Sequence, residues 1–275
     1  MSKVRLDVEM VRRGLSPSRE KARAEIMAGE VRINGLRAEK AGQEISEDAE
    51  IVIVKEAVPF VSRGGLKLDK AVKVFSLNLQ ERVCADIGAS TGGFTDVMLQ
   101  NGASHVYAID VGYGQLDWKL RNDERVTVME RTNARNMSPE WFDRKLTFAS
   151  IDVSFISLRL ILPPLFSCLE EEGEVVALIK PQFEAGRKEV GKNGVVRDCL
   201  IHARVCEEIM SFAADTGYTV KDLSYSPITG PKGNIEFLLY MQKCSTKNIP
   251  DEAFFTDLAK KTAESAHKSD AFLKS

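Results

Sequence analysis

A chain of 275 residues is long enough for one large core and a small module, and 44% hydrophobic with 28% charged residues is a folded globular balance, which excludes a disordered chain. The longest apolar runs, such as Ile51–Val54 and Val175–Ile179, are strand-length, and Arg5, Asp7 and Glu9 interrupt the opening segment, so neither a membrane span nor a signal peptide is expected. The cysteines (Cys84, Cys168, Cys199, Cys206, Cys244) are odd in number and lack CxxC spacing, which points to reduced thiols in the cytoplasm rather than to disulfides or zinc.

The net charge of −2 argues against a polyanionic partner until its distribution is considered. Residues 1–40 carry ten Lys/Arg against six acids, and the stretch to Val58 reverses the sign with Glu44, Glu47, Asp48, Glu50 and Glu56. A basic face on a small module attracts phosphates even within a slightly acidic chain, although a charge run alone is equally a solvated helix surface.

Within residues 1–58, Leu6, Val8, Met10 and Val11 predict a first helix ending at Gly14. Ser16 as N-cap and Pro17 at the first helical position open a second, carrying Ala22, Ala24, Ile26 and Met27 to Gly29. Val31–Leu36 alternates around Asn34-Gly35, a hairpin signal, and Ile51–Val54 closes the module as a buried strand. Residues 59–80 are a linker, broken by Pro59 and the Arg63-Gly64-Gly65 elbow, and a lead-in helix over Leu66–Phe75.

Residues 81–243 alternate strands and helices. Strands are expected at Val83–Ile87, His105–Ile109, Val126–Met129, Leu146–Ile151, Val175–Ile179, Val220–Tyr225 and Ile235–Met241. Helices are expected at Gly93–Gln100, Ile156–Leu169 and Arg197–Asp215. Such alternation implies an α/β fold, a Rossmann-like, mostly parallel sheet. The last two strands have no helix between them and form a terminal antiparallel element, unusual for a nicotinamide-binding domain. Residues 244–275 read as a mixed-charge helical tail.

The run Asp86-Ile87-Gly88-Ala89-Ser90-Thr91-Gly92-Gly93-Phe94 ends one strand and opens a helix, and its glycines let the backbone turn sharply against a ligand at the helix N-terminus. The pattern is not GxxxxGK[ST], which disfavours a phosphate-cradling loop. Asp110 ends the next strand, where an acid accepts both ribose hydroxyls of an adenosine ligand; these residues alone do not separate NAD from S-adenosylmethionine. Asn133-Ala134-Arg135, after the third strand, reaches toward the adenine edge, and Tyr113 and Trp118 either flank it or pack in the core. His105, His202 and His267 are isolated in sequence and predict no metal site. Ser90 and Ser154 lack a Gly-x-Ser-x-Gly elbow, which disfavours a hydrolase.

Several longer motifs stand in order: Arg5-Leu6-Asp7, Ser18–Ala22, Gly29–Gly35, Val61–Leu68, the glycine loop, Ser150–Ser157, Ile179–Glu184 and Gly233–Phe237. Through them the chain, to about Lys243, closely resembles the TlyA-type hemolysin/rRNA methyltransferase family, in which an S4 RNA-binding domain precedes an FtsJ-like methyltransferase domain. The resemblance implies a small α+β S4-like domain at 1–58 and an S-adenosylmethionine-dependent methyltransferase domain at 81–243. The substrate it implies is ribosomal RNA or ribosomal subunits, methylated at cytidine 2′-hydroxyls. The older family name implies membrane lysis instead, for which the sequence offers no span or cationic amphipathic helix. A non-catalytic RNA-binding protein is the third reading.

The resemblance also implies a Lys-Asp-Lys-Glu catalytic set, which falls on Lys67, Asp152, Lys180 and Glu236. Lys180 would take the hydroxyl proton, its pKa lowered by nearby Lys67 and burial, while Asp152 and Glu236 orient the lysines. Asp152 and Lys180 stand at or just beyond the carboxyl ends of predicted strands, where open α/β sheets place their sites, and Glu236 is expected inside the last strand. Cofactor contacts are expected from Asp86, Gly88, Ala89, Ser90, Gly92, Gly93, Phe94, Asp110 and Asn133. RNA phosphates are expected on Arg5, Arg19, Lys21, Arg23 along the two helices, and on Arg63.

Overall fold

A computed structural model describes residues 3–28, 30–38, 40–54, 58–191, 193–244 and 252–269, and the chain divides into two units, Met1–Pro59 and Phe60–Ser275. In the first, β1 (Lys3–Arg5) leads directly into α1 (Leu6–Arg12), followed by α2 (Arg19–Ala28), β2 (Val31–Ile33), β3 (Leu36–Arg37), β4 (Glu44–Ser46) and β5 (Ile51–Ile53). Strand β1 pairs antiparallel with β4, and β3-β2-β5 form a second antiparallel sheet. The hairpin between β2 and β3 has the expected cause: Asn34 and Gly35 both adopt positive φ, 48° and 81°, which a two-residue turn of this hand requires.

Two expectations change here. Leu6 and Met10, four residues apart, bury fully against Ala22, Ile26 and Ile45, whereas Val8 lies on the opposite face and is exposed. The N-cap of α2 is Ser18, whose Oγ accepts from Lys21 N at 3.1 Å; Ser16 is buried outside the helix. The predicted stop at Gly29 lies outside the described residues.

The second unit begins with α3 (Gly65–Val74) and continues through β6 (Val83–Ile87), α4 (Gly93–Gln100), β7 (His105–Ile109), α5 (Trp118–Arg121), β8 (Val126–Met129), β9 (Leu146–Ile151), α6 (Leu162–Cys168), β10 (Leu169–Ile179), α7 (Pro181–Glu184), α8 (Cys199–Thr216), β11 (Tyr218–Tyr225), β12 (Phe237–Lys243) and α9 (Glu252–Lys268). The sheet order is β11-β12-β10-β9-β6-β7-β8; the pairs among β10, β9, β6, β7 and β8 are parallel, and β12 runs antiparallel to both of its neighbours. Alternate residues of each buried strand feed two cores. Ile87, Ile109, Ile151 and Ile179 pack with α6, α8 and α9, while Cys84, Val106, Phe148 and Leu178 pack with α3, α4 and α5.

The helix predicted over Ile156–Leu169 is shorter. A 3₁₀ turn at Leu158–Leu160 precedes α6, and Pro163-Pro164 confine the α-helix to Leu162–Cys168, because a proline supplies no N–H and is tolerated only in a helix's first turn. Strand β10 starts at Leu169, six residues ahead of the predicted Val175, with a register shift against β9 between Leu169 and Glu174. Strand β12 starts at Phe237, so Glu236 stands just ahead of it, not within it. Register then fixes the site: Ile179 pairs with Phe237, Ile151 with Ala177, and Ile87 with Ile151. The carboxyl ends of β6, β9 and β10 and the amino end of β12 therefore meet at one edge.

Candidate active site

Lys67 reaches this edge from α3, which packs closely on α4. A Cβ on Gly93 would lie 2.5 Å from Ser62 Oγ and 2.7 Å from Gly65 N, so only glycine allows the approach. Lys67 Nζ lies 2.7 Å from Glu236 Oε2 and 3.3 Å from Asp152 Oδ2. Lys180, one residue past β10, places Nζ 2.5 Å from Asp152 Oδ1 and 3.0 Å from Ser154 Oγ. Glu236 is fully buried and both lysines are 7% exposed. The turn at Gly230 covers Glu236, since a Cβ there would fall on its Oε1.

Asp152 lies between the two lysines. Burial alone would lower the Lys67 pKa, but Asp152 and Glu236 outweigh it and raise it above the ordinary lysine value. Burial likewise pushes the Asp152 carboxyl up, yet Lys67 and Lys180 together hold it down to about 2. Its folded pKa is depressed, so the stabilisation from this ion cluster is present above the ordinary carboxylate range and is lost as pH falls toward 2.

The glycine loop serves this cluster as well as a ligand. Gly88, at φ +86°, leaves room for the Asp152 carbonyl, from which an added Cβ would be 2.5 Å away. Gly92, also left-handed, makes room for Leu116 and Leu120, and Phe94 is buried in the core. Asp86, expected at the ligand, is fully buried and its carboxylate is taken up by the chain's own donors. Its Oδ2 accepts from Thr95 N at 2.8 Å and Thr95 Oγ1 at 2.6 Å, and Oδ1 accepts from Ser150 Oγ at 3.3 Å, so it caps α4 from within.

Burial pushes the Asp86 carboxyl up to about 7. Between about pH 4, where the unfolded carboxyl ionises, and about pH 7, the folded state retains a proton that the unfolded state has released. Stability contributed by this group thus falls as pH rises through that window. Asp86→Asn, which cannot ionise but keeps an acceptor for Thr95 N, is expected to flatten the dependence. Urea midpoints at pH 5, 6, 7 and 8 test this; a slope equal to wild type would remove Asp86 as its source.

Ala89, Ser90 and Asp110 share one narrow cleft with Ala108, Gly112, Gln115, Leu116, Val128 and Glu130. Asp110 accepts from Ser90 N at 2.8 Å and Gly112 N at 2.7 Å, so its lone pairs are already partly engaged by loop amides. Glu130, missed in the sequence, follows β8 as Asp110 follows β7, and the same strand-end rule would have found it. Two carboxylates at adjacent strand ends beside Ala89, Ala108, Leu116 and Val128 fit an adenosine: acceptors for hydroxyls and an apolar slot for a base. Asn133 is exposed and caps the following turn through Arg135 N. Tyr113 and Trp118 are exposed, not core, with the Arg131 guanidinium over the Tyr113 ring. His202 and His267, isolated in sequence, meet in space with ring nitrogens 2.9 Å apart.

In the first unit the basic residues are more organised than a helix stripe. Arg5 (from β1, not a helix), Arg19 and Arg23 all bond to Asp7, at 3.0–3.1 Å, and Asp7 is completely buried. The hydrogen bond from Arg5, joined by those from Arg19 and Arg23, outweighs the upward push of burial and leaves the Asp7 carboxyl well below its ordinary range. The three guanidiniums remain about half exposed, and Lys21, two residues from Arg19 and Arg23 on α2, is exposed as well. Arg12 and Arg13 instead pair with buried Glu9, and Arg13 also donates to the Glu47 and Ala49 carbonyls. Arg63 donates to Thr229 O at 3.4 Å in the second unit.

Residues 60–243 match the FtsJ-like methyltransferase family, and residues 4–51 match the S4 domain. The protein YqxC of Bacillus subtilis, which carries an rRNA methyltransferase name, is 51% identical over 272 residues, 97% of this chain and 95% of its own. The chain belongs to the TlyA family of FtsJ-like methyltransferases. The TlyA protein of Mycobacterium tuberculosis, named a 16S/23S rRNA (cytidine-2′-O)-methyltransferase, is 45% identical over 241 residues, 87% of this chain and 90% of its own. A solved structure from Streptococcus thermophilus that carries a hemolysin name superposes with a TM-score of 0.77 at 49% identity, covering 100% of this chain and 98% of that one. A solved structure from Listeria monocytogenes named an S-adenosylmethionine-dependent methyltransferase shares the fold over 66% of this chain, with a TM-score of 0.50 at 13% identity. Among the described residues, no helix is long and apolar enough to cross a membrane.

Proposed function

We propose that this protein is a cytoplasmic methyltransferase that transfers a methyl group from S-adenosylmethionine to cytidine 2′-hydroxyls of ribosomal RNA, in a free transcript or in a ribosomal subunit. The observation that carries this reading is the buried Lys67–Asp152–Lys180–Glu236 cluster at the carboxyl edge of the parallel strands, beside the Asp110–Glu130 cleft.

S-adenosylmethionine, when bound, supplies an electrophilic methyl group. The cleft residues Ala89, Ser90, Asp110 and Glu130 would hold its adenosine portion. Among the described residues Lys180 is the lysine of the cluster with a single carboxylate partner, and in its neutral form the Nζ lone pair would take the acceptor hydroxyl proton while the oxygen takes the methyl group and its bonding pair to sulfur leaves with the thioether. The ammonium that results forms 2.5 Å from Asp152 Oδ1, so its charge is stabilised as it develops. Lys67, held charged by two carboxylates, keeps Asp152 in place, and Glu236 anchors Lys67 from a position closed to substrate. Phe155, 90% exposed three residues past Asp152, leans on Phe183 at 5.0 Å between centroids and offers a face to the acceptor base.

The S4 unit supplies affinity. Guanidiniums aligned by one buried carboxylate present their remaining N–H groups to phosphates, and structured RNA is recognised largely by shape and backbone. Reversing Arg19 and Lys21 to Glu is expected to weaken rRNA binding at least tenfold and to lower its salt dependence, with S-adenosylhomocysteine affinity unchanged. Filter binding across a salt series measures it; unaltered binding would remove this surface from the reading. The overall function is tested by incubating the protein with labelled cofactor and either ribosomal subunits or free rRNA, then mapping modified nucleotides by mass spectrometry. A 2′-O-methylcytidine dependent on Lys180 is expected; base methylation, or none in either RNA, overturns the proposal.

A further inference from the structure

Glu184 closes α7, four residues after Lys180, and its carboxylate reaches back across the site. Oε2 accepts from Ser157 Oγ at 2.7 Å and Oε1 accepts from Leu158 N at 2.8 Å. Both donors belong to the loop that leaves β9 with Asp152 and Ser154. That loop holds Phe155 at φ +63°, a left-handed backbone that a bulky aromatic residue adopts only when its surroundings impose it. Among the described residues its fastenings to the Lys180 segment are the Lys180–Asp152 ion pair, the bond from Lys180 Nζ to Ser154 Oγ, the Phe155–Phe183 ring contact, and the pair of bonds to Glu184. The Glu184 pair is the one that engages the backbone, at the point where the loop turns into the 3₁₀ segment.

We propose that Glu184 is a positioning residue: it locks the Asp152–Leu158 loop onto the Lys180 segment, and so sets the Lys180–Asp152 geometry and the presentation of Phe155. The inference rests on Lys180 and Asp152 being the catalytic pair. Without the clamp, the strain at Phe155 relaxes and Asp152 loses its placement, while the adenosine cleft, built on β6, β7 and β8, is untouched.

The test compares Glu184→Ala, Glu184→Gln, Ser157→Ala and the Glu184→Ala/Ser157→Ala pair in single-turnover methylation of rRNA, with S-adenosylhomocysteine affinity measured by calorimetry. Glu184→Ala is expected to slow transfer by roughly 10- to 100-fold, as small displacements of catalytic groups do, with inhibitor affinity at the wild-type value. Glu184→Gln, whose amide retains an acceptor for Leu158 N and a donor for Ser157 Oγ, should recover most of the rate. The double variant should be no slower than Glu184→Ala alone, because the two residues form one fastening. A wild-type rate in Glu184→Ala, a Gln variant as slow as Ala, or a parallel loss of inhibitor binding each overturns the clamp. Lys180→Ala serves as the control: if it remains active, the catalytic assignment fails; if it is inactive while Glu184→Ala is unimpaired, only the clamp fails.

Discussion

Lys180→Ala is expected to abolish methyl transfer while S-adenosylhomocysteine still binds with wild-type affinity. The lysine stands at the end of β10, outside the Asp110–Glu130 cleft, so its removal takes nothing from the adenosine site. Nor does it strand a buried charge, since Asp152 keeps Lys67 as its partner. The fold therefore tolerates the change, and the loss is chemical, on the order of 10²- to 10⁴-fold for the proton transfer and more where the hydroxyl has no other acceptor. Lys180→Arg sharpens the test. Arginine preserves the positive charge beside Asp152 but stays protonated, so it supplies no base and should be equally inactive. Radiolabel transfer and calorimetry on the two variants decide it, and wild-type turnover in either would transfer the role to another group.

Gly88→Ala is expected to damage both ligand binding and catalysis, although the atoms an added Cβ would meet are backbone. Two independent penalties coincide. The backbone at φ +86° costs an alanine about 1–3 kcal/mol. The new methyl would also stand 2.5 Å from the Asp152 carbonyl, backbone against backbone, so neither partner can swing aside. Relief requires β6 and β9 to part at their carboxyl ends, which shifts the glycine loop and Asp152 together. A lower urea midpoint, weakened S-adenosylhomocysteine binding and a fall in transfer rate should appear in one variant. By contrast, Gly114→Ala, where an added Cβ meets nothing within 4 Å, carries only the backbone penalty. Similar losses at both positions would refute the steric part of the argument.

The strands of the large sheet were legible because buried parallel strands are short β-rich runs separated by helix-length segments, and β6, β7, β8 and β9 have the predicted bounds. Strands β1 and β4 were not, because Lys3–Arg5 and Glu44–Ser46 are three-residue, charge-bearing pieces whose partner lies some forty residues away. The helix expected from Ile156 failed on Pro163-Pro164, whose tolerance in a first helical turn moves the helix start to Leu162. The site divides in the same way. Glycines and strand-end acids carry local signals, and Glu130 obeyed a rule already applied to Asp110. The direction of a side chain carries none: nothing local says that Asp86 points inward, that Asp7 gathers three arginines, or that Glu184 reaches back to Ser157. Lys67 and Asp152 are 85 residues apart, and only the family resemblance joined them before the sheet register did.

Strand β12 enters the sheet last in the chain but not at its edge, and this sets an order of events during synthesis. Strand β11 is complete by Tyr225, yet its only neighbour in the sheet, among the described residues, is β12, which ends at Lys243. A nascent chain emerging amino end first can assemble the parallel strands, but β11 must wait for a partner that has not yet been made. Glu236 arrives with that same strand, so Lys67 lacks its second carboxylate until the sheet closes. Sheet closure and completion of the four-residue cluster thus fall in one late step, and a product cut short before residue 236 has neither the strand that β11 needs nor the second carboxylate of Lys67.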